Sequence, residues 1–134
     1  MLLNGINHLA LISNDIEALR AFYAEVFDAE VGPTEPHGER GDETMTTVRI
    51  GPHTELNVFT IDGNPEPDRQ TPMWGRGRLD HFGLQAASAE SFEAIRERLV
   101  ERGASDGQVN DFGAVRSLFF RDPDGLEGEV LVAK

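Results

Sequence analysis

The chain has 134 residues, with 24 acidic against 12 basic side chains, a formal charge of −12 and no cysteine. That length supports one compact domain with a real core, while the acidic balance argues against nucleic acid and anionic membrane surfaces as partners, since both need clustered Lys and Arg. Without cysteine there is no disulfide, no thiolate metal site and no cysteine nucleophile; a metal would have to be held by nitrogen and oxygen donors, and there are four histidines.

The N-terminal stretch MLLNGINHLALI has no basic region and no small-residue cleavage site, so it reads as a first strand and not as a signal peptide. No apolar run approaches a membrane span, and the cytoplasm is the default expectation. INHLALIS (6–13) alternates as a strand, with Leu9 and Leu11 on one face and Ile6, His8 and Ala10 on the other. A helix follows, with Asn14 as N-cap, Asp15 in the first turn, Glu17 three residues after the cap, and Leu19, Phe22 and Val26 at helical spacing. DAEVGP is a short strand, TEPHGERGDE (34–43) a polar Gly/Pro loop that places His37 in solvent, and TMTTVRI and HTELNVFTI a hairpin around Gly51-Pro52. Residues 62–77 read as a linker.

The second half repeats this order. RLDHFGLQ (78–85) is a strand with Asp80, Phe82 and Leu84 on one face and Leu79, His81, Gly83 and Gln85 on the other. Ser88 caps a second helix, Glu90 lies in its first turn, and Gly103 stops it. DGQVNDF is a weaker strand; VRSLFFR and LEGEVLVA are strong ones, joined by the turn Asp122-Pro123-Asp124-Gly125. A shift of 73 residues carries His8 onto His81, and Leu19, Phe22 and Val26 onto Phe92, Ile95 and Leu99. The chain is therefore α+β, a βαβββ module written twice, with module one at about 1–61 and module two at about 78–134. Two similar sheets are expected around a shared space.

Parity then sorts the polar residues. In 53–61, Leu56 and Val58 share one face, and His53, Glu55, Asn57 and Phe59 the other. In 126–133, Leu126, Gly128, Val130 and Val132 oppose Glu127, Glu129 and Leu131. With the apolar faces given to the helices, His8, Glu55, His81 and Glu129 share the remaining face. His8 precedes Glu55 by 47 residues and His81 precedes Glu129 by 48, so one inserted residue would make the two pairs repeat-equivalent. If the pairs converge, two carboxylates without a cation would repel. Two neutral imidazoles and two carboxylates leave a divalent ion formally neutral. Zn, Ni, Co, Fe(II) or Mn suits such donors, and a six-coordinate ion keeps two positions open.

NHLALISNDIEALRAFYAEVF, DHFGL and FFRDPDGLEGEV together resemble the vicinal oxygen chelate superfamily, which includes glyoxalase I, extradiol dioxygenases, fosfomycin-resistance proteins, methylmalonyl-CoA epimerase and bleomycin-binding proteins. In that family Asp-Pro-Asp-Gly is followed, after three residues, by a ligand Glu. Here that Glu is Glu129, with Glu127 off pattern. His8 and His81 match the first ligands of the two modules, and Glu55 falls in a Glu-Leu where glyoxalase I has a carboxylate. The resemblance implies a cupped, barrel-like mixed sheet with helices outside, a divalent metal and a homodimer. In some members the two halves of one site come from different chains. The His/Glu/His/Glu set looks most like glyoxalase I, in which a metal-bound hemithioacetal isomerises through an enediolate; Glu129 or Glu55 would move the proton. Glutathione is not the expected thiol, because Ile12 stands where the glutathione-dependent enzymes have Arg, and Phe59 where they tend to have Asn. The alternatives are a dioxygenase, whose sites mostly use two His and one Glu, and a small-molecule binding protein of the bleomycin-resistance type. His53, Asn57, Phe59 and Arg116 are candidate substrate contacts, His53 also as a proton shuttle. Trp74, Phe119 and Phe120 could line an apolar cleft with Phe59.

Overall fold

Apolar alternation and helical spacing produce the expected order twice in the computed structural model, which describes residues 1–2, 4–38, 42–65, 67, 74–75 and 77–134. The first half contains β1 (His8–Ile12), α1 (Ile16–Phe27), β2 (Glu30–His37), β3 (Glu43–Arg49) and β4 (Glu55–Ile61). The second contains β5 (Phe82–Gln85), α2 (Ala89–Glu101), β6 (Val109–Asp111), β7 (Val115–Arg121) and β8 (Glu127–Ala133). The chain divides into two compact units, Met1–Arg69 and Gln70–Lys134. Each holds one helix and a four-stranded mixed sheet, in the orders β1-β4-β3-β2 and β5-β8-β7-β6. In each sheet the first strand of the unit runs parallel to the last, and the remaining neighbours are antiparallel.

In the first unit Leu19, Phe22, Tyr23 and Val26 form the buried stripe of α1, which lies against β2 and β3. The sheet contributes Thr46, Val48, Leu56 and Val58, all fully buried. In the second unit Phe92 and Leu99 of α2 are fully buried, and α2 lies against β8. Leu118, Phe120, Val130 and Val132 are buried from the sheet side. Each such side chain contributes about 1.5–3 kcal/mol by leaving water.

The helix ends follow capping chemistry. Ser88 Oγ accepts from Ser91 N–H at 3.1 Å, and Gly103, at φ 67°, ends α2 in the left-handed region. The first helix starts one residue later than the sequence suggests: Asp15, not Asn14, is the N-cap, and its Oδ1 accepts from Ala18 N–H at 3.0 Å. Ser13, which is fully buried, fixes that entry by accepting from Asp15 N–H at 3.1 Å.

β4 and β5 begin later than expected, which bears on the site. β4 starts at Glu55, which leaves His53 exposed in the preceding bend, and β5 starts at Phe82. Within the stretch read as a loop over 34–43, residues 34–37 and 43 are strand, and 39–41 lie outside the described residues. Pairing continues from Thr34↔Thr46 to His37↔Glu43 after a bulge between Val31 and Thr34. A hydroxyl–hydroxyl hydrogen bond of 2.7 Å ties Thr34 to Thr46. Pro33 and Pro36 are tolerated because β2 is an edge strand. His37 is exposed as expected but lies on a strand, with its ring 5.1 Å from that of Phe59. Much of the expected linker, at 66, 68–73 and 76, lies outside the described residues. No helix among the described residues is long and apolar enough to cross a membrane.

Candidate functional site

In both units the sheet turns one face to its helix and a second, polar-bearing face away from it. On the second face of the first unit, His8 on β1 stands directly beside Glu55 on β4, and Ala10 beside Asn57. His8 Nδ1 lies 2.9 Å from Asn7 Oδ1. Asn57 Oδ1 is buried and has no hydrogen-bond partner among the described residues. Phe59 occupies the same face, two residues further along β4.

On the second face of the second unit, Gly83 on β5 stands beside Glu129 on β8. His81, just before β5, reaches Glu129 with Nε2 3.7 Å from Oε2. Its Nδ1 lies 2.8 Å from Asp80 Oδ2, and Asp80 Oδ1 accepts from the backbone N–H of Trp74 at 2.6 Å. The fully buried Ser117 donates a hydrogen bond to Glu129 Oε1. The Phe119 ring packs edge-on against His81 at 5.5 Å, and the Trp74 ring lies 6.3 Å away. At Gly83 a Cβ would lie 2.9 Å from Leu131 Cδ1 and 3.9 Å from Glu129 Oε2.

The register changes the repeat arithmetic. His8 is level with Glu55, whereas Phe82 is level with Gly128 and Gly83 with Glu129. A hydrogen bond at the far end of each parallel pair agrees: Ser13 N–H donates to Phe59 O, and Ala86 N–H to Leu131 O. The offset is thus 73 residues on the first strand and 72 on the last. Glu55 is the equivalent of Glu127, and Asn57 that of Glu129. The cross-strand arginines match, Arg49 facing Glu55 and Arg121 facing Glu127. One residue fewer, and not one more, separates the strands in the second module.

The other expected site residues are dispersed. Arg116 is level with Val132 on the helix-facing side, where its guanidinium bonds Glu93 Oε1 at 3.1 Å and covers the Phe92 ring at 5.2 Å. That places it on the side opposite Glu129. His53 is exposed outside β4. Of the two adjacent phenylalanines, Phe119 is on the Glu129 face and Phe120 is buried on the other. Asp80 was not among the residues expected at the site; a carboxylate next to a candidate ligand histidine was the one sequence signal for it. Among the described residues, no three His, Asp or Glu side chains form a cluster that could hold a metal ion. Each module brings one histidine together with oxygen donors.

A sequence profile of the glyoxalase/bleomycin resistance protein/dioxygenase superfamily matches residues 5–130. The uncharacterized protein YwkD of Bacillus subtilis (strain 168) is 30% identical over 132 residues, 97% of this chain and 98% of its own. Among solved structures, a glyoxylase/bleomycin resistance protein/dioxygenase domain from Frankia sp. EAN1pec superposes with a TM-score of 0.79 at 21% identity, covering 98% of this chain and 93% of that one. The fosfomycin resistance protein FosX from Listeria monocytogenes, complexed with Mn(II) and sulfate, gives a TM-score of 0.70 at 19% identity, over 99% of this chain and 95% of that one. At such identities the two structures speak to the fold.

Proposed function

Because the chain belongs to the glyoxalase/bleomycin resistance protein/dioxygenase superfamily, we propose that it is a divalent-metal-dependent, glyoxalase-like enzyme. It would be an isomerase or lyase that moves a proton on a small carbonyl or thioester-type substrate, working as a cytoplasmic homodimer. The observation that carries this reading is the doubled arrangement of a histidine beside oxygen donors on the face that each sheet turns away from its helix.

The donor chemistry fits an ion. His81 Nε2 and Glu129 Oε2, 3.7 Å apart, are too far apart to hydrogen-bond. An imidazole nitrogen and a carboxylate oxygen turned towards each other are donors that would suit a divalent ion. His8, His81 and Glu129 would hold the ion, with Zn, Ni, Co, Fe(II) and Mn as candidates. The buried Oδ1 of Asn57, without a partner among the described residues, is a further oxygen donor at the position equivalent to Glu129. The same assignment serves whether the two halves come from one chain or from two.

Asn57 alters the charge balance that a second carboxylate in its place would give. Two imidazoles and one carboxylate leave a divalent ion with one net positive charge, which favours a substrate oxygen that becomes anionic. When bound, the ion would polarise that oxygen and ease proton removal from the adjacent carbon. Glu55, level with His8 but not equivalent to Glu129, would then carry the proton. Asn57 and Phe59 would position substrate.

A second reading follows from the same register. Two histidines and one carboxylate also suit Fe(II)-dependent oxygen chemistry, and Asn57 in place of an acid moves the donor set towards it. The test is elemental analysis after purification without chelator, for wild type, His81→Ala and Glu55→Gln. It is followed by assays on 2-oxoaldehyde–thiol adducts and, with Fe(II), on dihydroxy-aromatics with oxygen uptake recorded. The proposal expects about one ion per wild-type chain, lost in His81→Ala and kept in Glu55→Gln, whose isomerase activity is abolished. Oxygen uptake by wild type and Glu55→Gln alike would favour the second reading. No ion, and no uptake of Mn, Fe, Co, Ni or Zn, would overturn both.

A further inference from the structure

We propose that Asp80 is a positioning residue: it dictates which ring nitrogen of His81 carries the proton, and so presents the Nε2 lone pair to Glu129. The inference deepens the metal-site reading and rests on it for its purpose, though not for its first measurement.

A carboxylate can only accept hydrogen bonds. With Asp80 Oδ2 2.8 Å from His81 Nδ1, the neutral ring must carry its proton on Nδ1, and Nε2 is left with its lone pair. Asp80 is itself held, because its other oxygen accepts from Trp74 N–H at 2.6 Å. Trp74 sits at φ 66°, in the left-handed region. The ring is then flanked by Phe119 and Trp74. On the far side, the hydrogen bond from Ser117 occupies Glu129 Oε1 and leaves Oε2 as the oxygen nearest the ring. Both members of the pair are thus oriented before any ligand arrives, which is what supporting hydrogen bonds do for metal-binding histidines.

The first module is built differently. His8 Nδ1 meets the Asn7 amide at 2.9 Å. An amide offers both an acceptor oxygen and a donor nitrogen, so by rotating it serves either tautomer. The residue in front of the histidine therefore imposes one ring state in module two and permits two in module one.

The experiment is imidazole ¹⁵N NMR on the metal-free full chain, which separates the two neutral tautomers by their nitrogen shifts. A backbone amide spectrum of the same samples reports folding. In wild type, His81 is expected as the single Nδ1–H form; in Asp80→Asn it becomes a mixture, with His8 unchanged. Wild-type His81 protonated on Nε2 overturns the proposal with no variant needed, as does an unchanged single tautomer in folded Asp80→Asn. Mn(II) titration followed by electron paramagnetic resonance adds the second readout. Asp80→Asn and Ser117→Ala should each weaken binding by about 10–100-fold, and unchanged affinity in Asp80→Asn would overturn the positioning role. Failure of wild type to bind Mn(II) or any other divalent ion would remove the metal reading, while the tautomer measurement would still decide what Asp80 does.

Discussion

Gly128 lies between Glu127 and Glu129 and faces the opposite side of β8, where Phe120 of the paired strand crosses it. A Cβ at this position would overlap the Phe120 ring, with Cε2 at 3.1 Å and Cζ and Cε1 nearer still. Phe120 is only 2% exposed, so the ring has little room to withdraw. Gly128→Ala therefore forces a shift of ring or strand in a close-packed layer, a change that costs about 1–3 kcal/mol. With an unfolding entropy of about 2.1 cal/mol/K per residue, each kcal/mol lowers Tm by about 3.6 °C for a chain of this length. A fall of about 4–11 °C is expected by calorimetry. Phe120→Leu in the same chain should recover part of it, since a smaller side chain admits the methyl. Gly51, which has no atom within 4 Å of a built Cβ, is the control, and Gly51→Ala should stay within about 0.5 kcal/mol of wild type. A Tm unchanged by Gly128→Ala, or no coupling between the two substitutions, would refute the claim that this contact is tight.

Ser88→Ala removes the oxygen that caps α2 and should cost about 0.5–2 kcal/mol in chemical denaturation. Asp122→Ala removes the acceptor for Leu126 N–H at 2.9 Å in the turn before β8; about 1 kcal/mol is expected, with a lower unfolding midpoint as the check. Asp111 titrates below the usual carboxylate range, chiefly through its hydrogen bond with Lys134 and secondly through the backbone N–H of Gly113. A depressed native value contributes stability above the unfolded carboxylate's range and loses it as pH falls through the native value. The difference between wild type and Lys134→Ala should therefore be present at about pH 5 and fade in stronger acid, as acid titration of the unfolding midpoint would show.

Which residues share a face was legible because strand parity is strict: Leu56, Val58, Val130 and Val132 are buried where alternation puts them, and this alone set His8, Glu55, His81 and Glu129 on the opposite faces. What alternation does not encode is the level of one strand against its neighbour. Matching Glu55 to Glu129 by residue type assumed an insertion, whereas the pairing has a deletion, and both keep the same face because the two alignments differ by two residues. The second half of β2 was missed for a related reason. Gly and Pro between 32 and 38 signal a loop locally, but an edge strand is held by one neighbour only and tolerates both the bulge and the prolines. Arg116 illustrates a third limit. Its charge suggested an anion contact, yet it lies among apolar residues of the helix-facing side, where Glu93 satisfies it. The partner of Ser117 was not legible, because a buried serine becomes meaningful only when the carboxylate it serves is known.

The parallel pairing of first strand with last has a kinetic consequence. Among the described residues β1 pairs with β4 and no other strand, whereas β2, β3 and β4 are joined antiparallel neighbour to neighbour. Short-range pairings form before long loops close, so β1 is expected to dock onto an already assembled three-stranded meander. During synthesis it must wait, unpaired, until the whole first unit has left the ribosome, and β5 repeats that wait in the second. The rungs that carry the candidate ligands thus belong to the last step of each unit's folding. Pulse-labelled hydrogen exchange should find the amides of β1 and β5 protected after those of β3 and β7.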